Sequence, residues 1–252
     1  AVRAAAADGL TKRKDEASPL EFAGILLRSA YEDMRKRGLT RLVAVPQKDR
    51  SDEAETLLGH ALEDEAGGVR GEAFKTLWSW HEKDATAAID RALQCRFADL
   101  RLAAVRQLAL IARTPNDDEQ PAPKGTPGWI LERLEKAVVD RDAGVGDAAL
   151  TALSRLLGRE ASKPWQKGLE SEAVATRITA ARRAAVLAGK PEAETLRSPL
   201  VKALTDLSVP VKLAAIESVD ALVKDDAGPL TAGLMGDNLE LRVRAAELLA
   251  KR

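Results

Sequence analysis

Between Leu58 and Leu249 one spacing of apolar and charged residues returns six times, and no other feature restricts the fold as much. The first copy reads Leu58, Ala61, Leu62, Asp64, Val69, Arg70, Ala73, Leu77. The second reads Ile89, Ala92, Leu93, Cys95, Leu100, Arg101, Ala104, Leu108. The third is Leu134, Ala137, Val138, Asp140, Val145, Gly146, Ala149, Leu153, and the fourth Trp165, Gly168, Leu169, Ser171, Thr176, Arg177, Ala180, Ala184. The last two are Leu200, Ala203, Leu204, Asp206, Val211, Lys212, Ala215, Val219 and Leu230, Gly233, Leu234, Gly236, Leu241, Arg242, Ala245, Leu249. Each copy is two amphipathic helices, because apolar residues four apart fall on one helical face. Short turns such as Glu65-Ala66-Gly67-Gly68 and Ser208-Val209-Pro210 suit antiparallel neighbours. The recurrent alanine of the second helix allows close approach, and a hairpin with two apolar faces buries both only by stacking on its neighbours.

Composition agrees with helices. Of 252 residues, 46 are Ala and 35 are Leu, the best apolar helix formers, whereas aromatics make up only 3%. That scarcity disfavours β-sandwiches and barrels. Lys plus Arg is 39 and Asp plus Glu is 39, so the chain is not a globally basic nucleic-acid binder. A single cysteine, Cys95, excludes an internal disulfide and a multi-cysteine zinc site. No stretch carries the ~18 consecutive apolar residues that cross a bilayer. No signal peptide opens the chain, and a cytoplasmic location with no membrane contact is expected.

The copies are spaced by 31, 45, 31, 35 and 30 residues. The long interval holds an insertion, Thr114 to Gly128, with four prolines and no apolar periodicity, expected as a mobile surface loop. Upstream, residues 1–53 read as an irregular N-terminal helical segment, and residues 54–252 as the repeat array. Val2, Arg3, Ala6 and Leu10 repeat the second-helix half of the pattern. The chain is therefore expected to begin inside a repeat and to belong to a longer polypeptide, or to one that has lost residues. Next come a polar linker, a helix from Ser18-Pro19 to about Arg37, and an apolar segment stopped by Pro46. This stretch is either a degenerate repeat or an insertion.

The pattern L-x-x-A-L-x-D followed by V-R-x-x-A-x-x-x-L resembles the HEAT repeat. It is most similar to the short bacterial kind called PBS-lyase HEAT-like, over about residues 54–252. The resemblance implies an all-α, right-handed α-α superhelix of about six helical hairpins behind the irregular N-terminal segment. It also implies a structural ladder. Asp64, Asp140 and Asp206 would cap the second helices, and Arg70, Arg101, Arg177, Lys212 and Arg242 would pair along the stack. A carboxylate beside a helix N-terminus accepts otherwise unpaired amide protons.

The second helices hold 15 Lys or Arg against 6 Asp or Glu, and the rest of the chain is correspondingly acidic. In HEAT-like solenoids these helices line the concave surface, which is then expected to be basic. Arg106, Arg155, Arg182, Arg183 and Arg244 lie outside the ladder positions and are the expected partner contacts. Trp80 and Trp165 occupy apolar positions and are expected in the core. Trp78 aligns with Ala109, Ser154, Ala185, Asp220 and Ala250, so its indole is out of pattern and a candidate binding anchor. Trp129 is expected to anchor the end of the insertion.

No dinucleotide, phosphate-loop, nucleophile-elbow or zinc-protease motif occurs. His60, His81 and Cys95 have irregular spacing for a metal site, and no cofactor is expected. The reading is a non-catalytic protein–protein scaffold or adaptor gripping an acidic surface or segment. A nucleic-acid-binding or repair module, similar to HEAT-like alkylpurine glycosylases, is the alternative. A lyase-like role and a structural segment of a larger polypeptide stand behind it.

Overall fold

A computed structural model describes residues 19–46, 50–81, 85–112, 126–157, 162–189 and 193–252. The start of the chain and residues 114–125 of the insertion lie outside the described residues. Among the described residues there are fourteen α-helices and no strand. They are α1 (Pro19–Leu27), α2 (Glu32–Val43), α3 (Asp52–Leu62), α4 (Gly67–Trp80), α5 (Ala85–Leu93), α6 (Ala98–Ile111) and α7 (Gly128–Ala137). Then come α8 (Ala143–Leu157), α9 (Ser162–Leu169), α10 (Val174–Ala184), α11 (Glu194–Ala203), α12 (Val209–Leu222), α13 (Gly228–Leu234) and α14 (Leu239–Leu249). None of the described helices is long and apolar enough to cross a membrane.

The chain divides into two compact units, Ala1–Ala104 and Val105–Arg252, so α6 gives its first half to one and its second half to the other. Both are built from the hairpins that the repeat predicts. The leading position of each copy is buried: Leu58, Ile89, Leu134, Leu200 and Leu230 are 0% exposed and Trp165 is 3% exposed. The central alanines Ala73, Ala104, Ala149, Ala180, Ala215 and Ala245 are buried as well. Ala180 and Ala245 face the glycines Gly168 and Gly233 of their first helices. At Gly168 an added Cβ would lie 2.8 Å from the Ala180 Cβ, so the two backbones meet too closely for a methyl group.

The N-terminal segment is more regular than the sequence reading expects. The helix does not continue from Pro19 to Arg37; it stops after Leu27 and restarts at Glu32, with Ser29 Oγ accepting the Tyr31 N–H. The apolar stretch before Pro46 is the last turn of α2, in which Met34, Gly38, Leu39 and Leu42 are buried. Thus α1 and α2 form a seventh hairpin, with Met34, Arg35, Gly38 and Leu42 at the places of Val69, Arg70, Ala73 and Leu77. Gly38 carries the small-residue role further, since a Cβ there would lie 2.8 Å from Leu27 Cγ and 3.0 Å from Ala23 O.

Candidate binding groove

The ladder residues join successive hairpins. The end of a helix leaves carbonyls without intrahelical donors. Arg70 Nη1 donates to the carbonyls of Asp64 and Glu65 at 2.6 and 2.9 Å. Arg101 Nη1 donates likewise to Cys95 and Arg96 at 2.9 and 2.8 Å. Arg177 Nη1 donates to Ser171 and Glu172 at 2.8 and 2.9 Å. Arg242 Nη1 reaches Gly236 O at 3.4 Å.

The same side chains reach one hairpin onward. Arg177 Nε and Nη2 donate to the two Asp206 oxygens at 2.8 and 3.1 Å. Lys212 Nζ lies 2.6 Å from Asp237 Oδ1. Arg70 forks onto Asp99, because Cys95 holds the place that Asp64, Asp140 and Asp206 take in their turns. The Cys95 thiol instead donates to Glu63 Oε1 at 3.1 Å, and burial pushes its pKa up. A further rung, Arg35 to Asp64 at 2.6 and 2.9 Å, was not expected. Its sequence signal is the Met34-Arg35 pair ahead of Gly38 and Leu42.

Each turn aspartate also closes its own turn. Asp64, Asp140 and Asp206 Oδ1 accept the amides of Ala66, Asp142 and Ser208, each at 2.8 Å. Ala66 and Ser208 are themselves the N-caps, so these carboxylates brace the entry to the second helix instead of capping its first turn. Burial raises Asp64 and Asp206, but hydrogen bonds and charge from Arg35 and Arg177 outweigh it. Both carboxyls end below the usual range.

One rung is missing on both sides. Gly146 stands at the arginine position of α8, and Ser171 stands at the aspartate position of the next turn. An added Cβ at Gly146 would lie 2.7 Å from Thr176 Oγ1 and 2.9 Å from Val138 O, so no side chain fits. Joint loss leaves no buried charge without a partner.

The groove lies within the second unit, between residues 105–110 of α6 and the middle of α8. It encloses about 500 Å³, the range of small-ligand and side-chain pockets. Val105, Ala109 and Leu110 line it from α6, and Ala148, Ala152 and Leu156 from α8. The alanines leave the floor low, and Leu110 is 57% exposed beside it. Polar groups from both helices border this floor: Arg106, Asp147, Thr151 and Arg155. Arg106 and Arg155 are exposed and make no ion pair or hydrogen bond with any described residue. Their aliphatic stems extend the apolar lining while the guanidinium heads stay in water. Asp147 Oδ1 is buried and accepts no hydrogen bond from any described residue.

The other expected contact residues divide. Arg183 is half-buried, and its Nη2 donates to Thr151 Oγ1 at 3.1 Å, beside the groove. Arg182 is exposed and has no partner among the described residues. Arg244 is held by Glu217 and Glu247 at 3.0 and 2.8 Å. The Glu247 hydrogen bond raises its pKa, against a smaller opposing effect of burial. Trp78 is half-buried in the first unit. Trp165 is in the core, with Nε1 donating to Ser154 Oγ at 2.7 Å. Trp80 is buried beneath the Arg50 guanidinium, and Trp129 lies beneath that of Arg133. Among the described residues no three His, Cys, Asp or Glu side chains are placed to share a metal ion.

No protein-family model matches this sequence, and no curated protein is similar to it in sequence. Among solved structures the chain is similar to Cex1p, with a TM-score of 0.52 and 14% identity over 93% of this chain and 50% of that one. The chain thus spans half the length of Cex1p, and at this identity the likeness is one of fold alone. Human deoxyhypusine hydroxylase in complex with glycerol aligns at a TM-score of 0.41 and 16% identity, over 92% of this chain and 94% of that one. An all-α helical-repeat architecture is what the hairpins and the first of these likenesses support together.

Proposed function

We propose that this protein is a non-catalytic binding scaffold whose α6–α8 groove docks an acidic segment of a partner protein. The supporting observation is the pair Arg106 and Arg155, two cations without a partner among the described residues that border an apolar floor. Several other cations of the second-helix stretches are neutralised at home, although Arg182 has no partner among the described residues. Lys75 pairs with Glu72 at 2.7 Å, Arg244 with two glutamates, and Arg252 with Asp220 at 2.9 Å. Exposed charges with internal partners contribute little to recognition, whereas free ones steer an oppositely charged partner. The apolar floor supplies burial, and the arginines supply orientation.

The test is fluorescence anisotropy with a labelled peptide alternating Leu and Glu, against the unmodified chain and an Arg106→Glu, Arg155→Glu double variant. Charge reversal is expected to weaken binding at least about tenfold, the equivalent of 1.4 kcal/mol. Equal binding by the two proteins removes the proposal. A labelled DNA duplex runs alongside. Tighter binding of the duplex than of the peptide, with affinity falling steeply as salt rises, replaces the proposal with a nucleic-acid role.

A further inference from the structure

The groove is not uniformly basic, and its one carboxylate has a consequence for what fits. Asp147 and Arg155 both line it from α8, eight residues apart. At 1.5 Å per residue that is about 12 Å along the helix axis. Between them lie Ala148, Thr151 and Ala152, with Leu110 and Arg106 on the opposite wall. Asp147 Oδ1 is buried and lacks a donor among the described residues, while Arg155 lacks an acceptor. The Asp147 carboxylate as a whole is only half-buried, lines the groove and forms no ion pair with any described residue, so a ligand ammonium at this wall supplies the counter-charge the free protein lacks. A uniformly acidic segment leaves that carboxylate unmatched and sets a like charge beside it.

We infer that the groove takes a peptide segment of fixed polarity: an ammonium donor at Asp147, an apolar side chain on the alanine floor, and a carboxylate at Arg155. An extended strand rises about 3.3 Å per residue, so ~12 Å separates residues three to four apart. The recognised segment is therefore basic, then apolar for two residues, then acidic. This rests on the reading that the groove is the docking site, and it adds the order of charges.

Three labelled peptides test it by anisotropy: acetylated Lys-Leu-Leu-Glu-Glu, Ala-Leu-Leu-Glu-Glu and Glu-Leu-Leu-Glu-Glu. The lysine peptide is expected to bind the unmodified chain at least about tenfold tighter than the alanine peptide, the equivalent of 1.4 kcal/mol, with the glutamate peptide weakest. Asp147→Asn is expected to abolish the lysine preference and leave alanine-peptide binding intact, and Asp147→Glu to keep the preference. Circular dichroism melting of each variant confirms folding. Arg155→Lys, which retains the cation, is expected to preserve binding that Arg155→Ala loses. If the lysine and alanine peptides bind alike and Asp147→Asn changes nothing, the polarity inference falls while the acidic-segment reading stands. If no peptide binds, or Arg155→Ala has no effect on any of them, both fall.

Discussion

Replacing Arg177 with Met removes the fork to Asp206 and the two bonds to the Ser171 and Glu172 carbonyls. Met keeps much of the aliphatic stem's packing, so the loss is chiefly polar. Breaking a buried ion pair from one side costs about 3–5 kcal/mol. Here the side chains of Arg177 and Asp206 are still 15% and 13% exposed. Water screens part of the orphaned charge, and about 2–3 kcal/mol is the expected cost. Asp206→Asn keeps an acceptor for the Ser208 amide and deletes only the charge, for about 1–2 kcal/mol. The double variant strands no charge, so its cost should fall short of the sum by about 1–2 kcal/mol. Urea unfolding followed by far-ultraviolet circular dichroism measures all four proteins, with the slope m checked for constancy. Costs that add to within about 0.5 kcal/mol would mean that Arg177 and Asp206 act independently, and the ladder argument would fail.

Two further outcomes follow from the same geometry. Asp64 and Asp206 are held below the ordinary carboxyl range, so their contribution is complete above the unfolded value of about 3.9 and is lost as pH falls through the lower folded value. Acid titration of stability should show this loss, and Asp64→Asn should flatten it; an unchanged acid slope would rule out the pairing as its source. Gly38→Ala forces a Cβ to within 3.0 Å of the Ala23 carbonyl and the Leu27 amide nitrogen, backbone atoms that give way poorly. The expected cost is about 1–3 kcal/mol, read as faster amide exchange in α1 and α2, and unaltered exchange there would refute the close approach.

The hairpins were legible because their signal is periodic and redundant. A position such as Leu58 recurs in five later copies, and every one is buried. The α1–α2 hairpin was obscured by two substitutions, Met34 for Val and Gly38 for Ala, which keep the size class but break the letter pattern. A further obstacle was the short break at Ser29, which carries no Pro or Gly to announce it. In the groove, sequence reasoning reached Arg106 and Arg155, since cations outside the ladder positions needed another role. It could not reach Asp147. A lone aspartate on a second helix looks like ordinary surface, and only packing shows that it lines the groove, with one oxygen buried and without a donor among the described residues. Nor could it separate Arg155 from Arg244, because the glutamates that neutralise Arg244 lie three residues along its own helix and 27 residues back.

The ladder has an implication for how such a chain lengthens and shortens. Its rungs Arg35–Asp64, Arg70–Asp99 and Arg177–Asp206 each span 29 residues, joining the second helix of one hairpin to the turn or helix start of the next. Excising a complete hairpin, cation and carboxylate together, would hand the upstream guanidinium an equivalent acceptor in the new neighbour. Excising half of one would strand a charge at the splice. Lengthening or shortening by whole hairpins therefore keeps each of these cations matched, and the Gly146–Ser171 gap is a joint where no charge is left to match.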